Sequence, residues 1–338
     1  GTTRIYEWNG TAWVLKGSPI NGLATEEYSG FSVSISSNGN IVAIGAWRNN
    51  SDTGTTRIYE WNGTAWVLKG SQITGLTAGE RSGHSVSING DGTIVAIGAF
   101  LFNGEAGSSS GTTRIYEWNG TAWVLKGSQI NGLTAVEGSG YSVSINSDGT
   151  VVAIGAYSFD GGGGNDSGTT RIYEWNGTAW VLKGSQINGL TGGEQSGQNV
   201  SLNSTGTIVA IGAYGNNSDT GTTRIYEWSG SAWVLKGSQI NGLTSGEFSG
   251  FSVSLSSNGE TVATTAFRFD GGVGTNSGTT RIYELTTVTT STLIPNTYTG
   301  PQINAIDFDT NGQSIENITS MDVSGNHLYV VGNTGIEK

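Results

Sequence analysis

GTTRIYEWNGTAWVLKGS, residues Gly1–Ser18, decides how the rest of the chain is read. The phrase returns unchanged at Gly54, Gly111 and Gly168. It returns at Gly221 as GTTRIYEWSGSAWVLKGS, and at Gly278 it dissolves after GTTRIYE. The starts lie 53 or 57 residues apart, and a period near fifty belongs to solenoids, propellers and arrays. Within the phrase, two β-rich runs, Thr2 to Trp8 and Thr11 to Lys16, flank Asn9-Gly10. Asn-Gly between such runs predicts a hairpin with a two-residue turn. That register sets Tyr6 opposite Trp13, Ile5 opposite Val14 and Arg4 opposite Leu15, with Arg4 diagonal to the Trp13 ring.

A second hairpin follows each first one. Phe31 to Ser36 and Ile41 to Ala46 flank Asn38-Gly39. Pairing about that turn puts Val33, Ile35, Val42 and Ile44 on one face and Ser32, Ser34, Ala43 and Gly45 on the other. The second face is nearly bare, so a neighbouring sheet's aromatic side chains would approach it closely. Four strands per period, sheets buried on both faces and no helical periodicity predict an all-β protein, a β-propeller of four-stranded antiparallel blades. The inner hairpin recurs five times, with a divergent sixth near Thr319 to Gly332, and TTRIYE occurs six times. The chain therefore reads as a single propeller over 1–338. It would have six blades, closed by pairing the first outer hairpin with the last inner one, with 286–338 as a divergent closing segment. If GIEK at the end opens another outer strand, a seventh blade would belong to the full-length protein. The chain has no initiator Met, starts on a repeat boundary and reads as a processed or partial piece of something longer.

The composition narrows the function classes. The 338 residues hold 56 glycines, no cysteine and 12% charged residues, with a net charge of −11. Disulfides and thiolate metal sites are excluded, and no apolar run is long enough for a membrane-spanning helix. Eleven of the 15 Lys and Arg sit evenly inside the repeated phrase. No basic cluster remains, which argues against a nucleic-acid partner.

SGFSVSISSNGNIVAIGA followed by GTTRIYEW resembles the FG-GAP-like propeller repeats of integrin-type domains. More closely it resembles repeats of large secreted or virion-surface proteins of marine bacteria and their viruses. The resemblance covers Gly1 to about Glu284 and recurs in phase. It implies a propeller, an extracellular, cell-surface or virion-surface location, and calcium in the inner hairpin turns. The sequence departs from the family where calcium would bind, because the Asp-rich loop is reduced to SSNGN, NGDGT and NSDGT. An aromatic residue also replaces the proline expected after Gly-Ala.

Comparing the repeats with one another shows where variation collects. One variable loop joins the inner to the outer hairpin and begins with Trp47, Phe100, Tyr157, Tyr214 or Phe267. The other precedes the inner hairpin as E-x-S-G-x, where the two variable positions hold Tyr28 and Phe31, Arg81 and His84, Gly138 and Tyr141, Gln195 and Gln198, or Phe248 and Phe251. In an up-and-down blade both loops lie at one end. Phe31, Trp47, His84, Phe100, Tyr141, Tyr157, Tyr214, Phe251 and Phe267 form a candidate binding face, since binding functions sit on variable loops of a rigid scaffold. The bland reading is drift after recent duplication. The aromatic residue after Gly-Ala reads first as a plug between blades, and Phe102, Phe159 and Phe269 as anchors of the longer loops.

Glu27, Glu80, Glu137, Glu194 and Glu247 recur two residues before Ser-Gly. As carboxylates on a channel rim they would hold a cation. Alternatively, each accepts backbone N–H groups and pins its own loop. Asp307, Asp309 and Asn311 match the first half of a calcium loop, but position twelve is Ile318 and Glu316 comes two residues early. A polar turn fits that segment as well, so calcium binding would be weak and no other cofactor is implied. The two histidines, His84 and His327, have no motif context. Asn-Gly-Thr at Asn9, Asn62, Asn119 and Asn176 is a glycan acceptor signature that also follows from a turn. The expectation is a non-enzymatic propeller for adhesion or surface assembly, engaging a protein or glycan on a surface or further copies of itself. A spacer or filament subunit and a carbohydrate-binding propeller are the alternatives.

Overall fold

The computed structural model describes residues 1–271 and 275–285 with side chains, and the backbone strands Ile318–Ser324 and His327–Gly332. The described chain is all-β apart from two four-residue turns, and it repeats one antiparallel sheet. In the first complete unit, Ser32–Ile35 pairs with Ile41–Ala46, which pairs with Thr55–Trp61. Trp66–Leu68 and Ile73–Thr74 both continue on the free side of Thr55–Trp61. They are one fourth strand, interrupted where Gly70 takes φ +73°. The second, third and fourth units repeat this order. The fifth has three described strands, Ser249–Leu255, Thr261–Ala266 and Thr279–Glu284. The first outer hairpin, with Tyr6–Trp8 on Trp13–Leu15, precedes the series. Ile318–Ser324 pairs with His327–Gly332 and lies beside the inner strands of both the fifth and the first unit.

The inner hairpins have the register expected from the turn, Val33 opposite Ile44 and Ile35 opposite Val42. Consecutive sheets stack through apolar faces. Ile41, Ala43, Ile58 and Ile73 of the first unit bury against Val86, Ile88, Val95 and Ile97 of the second. The Ser/Ala/Gly side of the sheet does receive the next unit's aromatic residues, with Tyr116 and Trp123 packed against the cluster that holds Ala43, but along the innermost strand the contact is polar. Its serines accept hydrogen bonds from the next unit's inner edge. Val86 N donates to Ser32 Oγ at 2.8 Å and Ile88 N to Ser34 Oγ at 3.0 Å. The contact recurs from Val143 and Ile145 to Ser85 and Ser87. An inner strand otherwise presents unpaired N–H groups, and here serine hydroxyls satisfy them where a larger residue would hold the sheets apart. The turns join too: Ser37 N donates to Gly90 O, Gly90 N to Ser147 O, Ser147 N to Ser204 O and Ser204 N to Ser257 O, all at 2.9–3.0 Å.

The outer hairpin corrects the expected register by two residues. Tyr6 lies opposite Leu15, Glu7 opposite Val14 and Trp8 opposite Trp13. A type I′ turn needs positive φ at both central residues, and Gly10 has it (φ 98°) while Asn9 is not among the positive-φ residues. Asn9 instead accepts Thr11 N and Ala12 N on Oδ1, both at 2.9 Å, and closes a four-residue turn from Asn9 N to Ala12 O. A two-residue shift preserves which face each side chain takes, so the scaffold reading stands while the pairs change. Each hairpin now carries a cross-strand Trp pair, with centroids 5.6 Å apart for Trp8–Trp13 and 5.5 Å for Trp61–Trp66. The second Trp ties units together: Trp66 Nε1 donates to Lys16 O at 2.7 Å and Trp123 Nε1 to Lys69 O at 2.8 Å. Lysine covers the rings where arginine was expected, with Lys69 Nζ 5.2 Å from the Trp118 centroid.

Circular dichroism should therefore show β structure carrying an aromatic exciton couplet from coupled indoles. Trp118→Phe should remove close to one pair's share of the amplitude. An unchanged couplet would mean that these pairs are not what couples.

Candidate functional site: the loop face

Both variable loops lie at one end of the sheets and bond to each other. Arg81 N donates to Asp52 O at 2.9 Å and Ser82 N to Thr53 O at 3.0 Å. Beneath them, each recurrent glutamate forms a buried, two-pronged ion pair with the arginine of TTRIYE. Arg57 Nη1 and Nη2 reach Glu27 Oε1 and Oε2 at 3.0 and 2.9 Å. Arg114–Glu80, Arg171–Glu137, Arg224–Glu194 and Arg281–Glu247 repeat the pair. Each carboxylate also accepts the N–H of the leucine four residues earlier, at 2.7 Å for Leu23 and 2.9 Å for Leu133. The five glutamates thus pin their loops, and the rim role is corrected: their side chains are fully buried and none lines the central cavity.

The two loop lengths complete this pair differently. In the short loops an asparagine caps the carboxylate, Asn49 Nδ2 to Glu27 Oε2 at 2.7 Å and Asn216 Nδ2 to Glu194 Oε2 at 2.8 Å. To do so the chain winds left-handed through Asn50, Ser51 and Asp52 (φ 54°, 56° and 59°) and again through Asn217, Ser218 and Asp219. In the long loops a phenylalanine covers the guanidinium instead. Arg114 lies 5.2 Å from the Phe102 centroid, Arg171 5.1 Å from Phe159 and Arg281 5.0 Å from Phe269. This second aromatic residue is the anchor expected of the longer loops. Burial would raise the Glu27 carboxyl, but bonds from Arg57, Asn49 and Leu23 outweigh it and hold the carboxyl below its ordinary value.

Above the ion pairs lies a run of aromatic rings. Trp47 meets Tyr28 and Phe31 of its own unit and His84 of the next. His84 meets Phe31, Phe100 and Tyr141, and Tyr141 meets Tyr157 at 4.3 Å. A second group joins Tyr214, Phe248, Phe251 and Phe267. Between them Gln198, buried with Oε1 unpartnered, interrupts the run. All nine candidate residues therefore lie on this face. Phe100 is buried as a plug between units, while Phe267 is exposed. Burial pushes the His84 imidazole down to about 4 and, with nearby tyrosines and carboxylates, pushes Tyr214 up to about 12.

The position just before Ser-Gly, already variable in the sequence, has a backbone conformation that the sequence does not show. Tyr28, Arg81, Gln195 and Phe248 occupy it with φ between 54° and 58°, and only the third unit uses glycine there, Gly138 at 64°. A left-handed backbone costs a side-chain-bearing residue about 1–2 kcal/mol. Four of five copies keep a large side chain at a place where glycine is cheapest.

The central cavity, lined by serines of five units, holds about 90 Å³. Asp307, Asp309, Asn311 and Glu316 lie outside the described residues. Among the described residues no three His, Cys, Asp or Glu side chains come together as a metal cage. The turn carboxylates are engaged otherwise, with Asp91 Oδ1 accepting Thr93 N at 3.0 Å and Asp148 Oδ1 accepting Thr150 N at 2.9 Å. Chelation should accordingly move the melting temperature by no more than about 2 °C, because only an ion bound well above its dissociation constant stabilises the fold. A loss of ten degrees in calorimetry with EDTA would establish calcium sites.

No family model and no curated protein matches the chain. Among solved structures it is similar to hydrazine synthase of Kuenenia stuttgartiensis, at a TM-score of 0.49 and 10% identity, covering 78% of this chain and 65% of that one. This chain thus spans less than two thirds of that protein chain, and a likeness at this level bears on neither fold nor function.

Proposed function

We propose that the protein is an FG-GAP-like β-propeller of six blades that attaches to a surface through its loop face, without enzymatic activity, as part of an extracellular or virion-surface protein. The sixth blade combines the first outer hairpin with Ile318–Ser324 and His327–Gly332. The position of Ile318–Ser324 beside the inner strands of the fifth and first units supports this. The observation that carries the attachment reading is the strained position before Ser-Gly. Units that share nearly every scaffold residue there keep Tyr28, Arg81, Gln195 or Phe248 against the backbone preference. Strained backbone clusters at binding and switch sites, and a different side chain at the strained position in each copy supports a binding surface here.

Tyr28→Gly and Phe248→Gly together should melt no lower than the parent by more than a few degrees, since relief of strain offsets lost ring contacts. The same variant should lose retention on intact marine bacterial cells, measured by flow cytometry of fluorescent protein. Substituting Asn62 and Asn119 in the opposite turns by Asp should leave retention intact. If the glycine variant binds cells as well as the parent, the loop face is not the attachment surface.

Assembly with further copies is the second reading, favoured by one specific feature. Leu23, Leu76, Leu133, Leu190 and Leu243 recur in every copy and are 61–71% exposed, each on a backbone fixed by its glutamate. Light scattering over a concentration series separates the two: growth in mass abolished by Leu→Ser at these positions would favour a filament or spacer.

A further inference from the structure

We infer that the loop face binds an acidic polysaccharide, a polymer of sugars bearing carboxylate or sulfate groups, through arginines set over aromatic rings. This deepens the attachment reading and rests on it. Eleven of the 15 Lys and Arg belong to the repeated phrase. There the arginines of the five described units are consumed by buried glutamates. The lysines turn to outer-strand carboxylates such as Glu60 and Glu117. Five cations remain: Arg4 in the first outer hairpin, and, outside the repeated phrase, Arg48, Arg81, Arg268 and Lys338, the last outside the described residues. Arg48, Arg81 and Arg268 stand on the loop face, over its aromatic groups. Arg81 lies 4.4 Å from the Trp47 centroid and 5.7 Å from Phe100. Arg48 lies 5.2 Å from Tyr28 and 5.6 Å from Trp47, so two guanidinium groups share one indole. Arg268 lies 4.8 Å from Phe248 and 5.4 Å from Phe267.

A guanidinium over a ring is attracted by the ring's face, and its planar fork of N–H donors can still take a carboxylate or sulfate with two parallel hydrogen bonds. Asp52 engages Arg48 at 3.3 Å, whereas Arg81 and Arg268 have no acid partner among the described residues. In a chain of net charge −11, unneutralised cations gathered on one face mark where a negative ligand is welcome. Arg81 is also one of the side chains held at a left-handed backbone position, so its presence there is not cost-free.

The aromatic surface selects a sugar polymer over an acidic peptide. Tyr28 and Phe267 are 41% and 38% exposed and offer flat apolar faces to the C–H side of a sugar ring. A peptide is usually held along an unpaired strand edge or in an apolar groove, and the loop face consists of turns. The arginine clusters sit on the first, second and fifth units, which suits a polymer that repeats its charge and can engage several weak sites at once.

The test is biolayer interferometry with immobilised alginate, dextran sulfate, unmodified dextran and polyglutamate. The protein should bind alginate or dextran sulfate, ignore dextran, bind polyglutamate at least tenfold more weakly, and release as salt rises. Alginate against dextran sulfate separates carboxylate from sulfate recognition. Arg81→Gln with Arg268→Gln should weaken binding at least tenfold with the melting temperature unchanged. Binding that survives both substitutions, or matches that to dextran or polyglutamate, overturns the inference. If neither acidic polysaccharide binds while the Tyr28→Gly, Phe248→Gly variant still loses cells, the inference falls and the attachment reading stands. If cell retention is also unaffected, both fall.

Discussion

Arg171→Ala is expected to lower the unfolding free energy by about 3–5 kcal/mol, the cost of leaving one charge of a buried pair alone. Glu137 is fully buried and takes bonds from Arg171 Nη1 at 2.7 Å, Arg171 Nη2 at 3.1 Å, Leu133 N at 2.9 Å and Thr134 Oγ1 at 2.9 Å. Removing the guanidinium strips two charge-assisted bonds from a carboxylate that water cannot reach, and it leaves the Phe159 ring without its partner. Lys126→Ala is the contrast. Its bond to Glu117 is as short, at 3.0 Å, but Glu117 is 45% exposed, so the loss should stay below about 1 kcal/mol. Urea midpoints of the two variants decide the matter. An Arg171→Ala cost below about 1 kcal/mol would mean that these pairs are solvated and that the loops are pinned by something else.

Acid should act on the same sites in two stages. For Glu194, as for Glu27 and Glu247, burial raises the carboxyl but bonds from the partner arginine and the leucine N–H more than cancel it, so the folded value is depressed. A depressed carboxyl contributes stability that is present above the unfolded value, near 4.5, and is lost as pH falls through the folded one. His84 is depressed by burial, from 6.5 to about 4, so its share drains away across that interval. The melting temperature should hold above pH 6.5, decline gently to about pH 4.5 and then fall steeply. His84→Phe, which installs the residue its counterparts Phe31 and Phe251 already have, should flatten the first stage alone.

The inner hairpins were legible because a period-two pattern and an Asn-Gly turn agreed, and nothing else in the sheet contested them. The outer hairpin misled by two residues, since Asn-Gly also opens a four-residue turn when the asparagine side chain caps the backbone. The pattern could not separate the two turns, because a shift of two keeps every residue on its face. The glutamates were singled out, yet their partners were not. A signal was present: the glutamate before Ser-Gly and the arginine of TTRIYE each recur once per unit, 30 apart where the loop is short and 34 where it is long. The spacing follows the loop because the pair closes it. The left-handed positions were invisible for the opposite reason. Gly138 alone betrays them, and a single glycine among Tyr, Arg, Gln and Phe reads as variation.

Gly155→Ala should destabilise the protein by about 3 kcal/mol or more, although it adds one methyl group to a strand. A Cβ on Gly155 would fall inside the Gly197 carbonyl oxygen of the next unit, and beside Ser142 Oγ. Gly45, Gly98 and Gly212 meet Gly83, Gly140 and Gly250 in the same way. Backbone faces backbone at each junction, so no side chain can swing aside, and relief requires two sheets to separate. The glycines are therefore what sets the inner spacing of the units. The fifth unit supplies its own control, for it places Thr265 where the others place glycine, and the residues before Ser320 read ENIT with no Ser-Gly. Thr265 Oγ1 accepts Ser252 N at 3.0 Å, a contact inside its own sheet. Thr265→Gly should accordingly cost no more than about 1 kcal/mol, the ordinary entropic penalty of glycine in a strand. Chemical denaturation of Gly155→Ala, Gly98→Ala and Thr265→Gly tests the asymmetry. If the alanines are tolerated as well as the fifth unit tolerates threonine, close backbone contact does not set the spacing, and the serine bonds between inner strands must carry it instead.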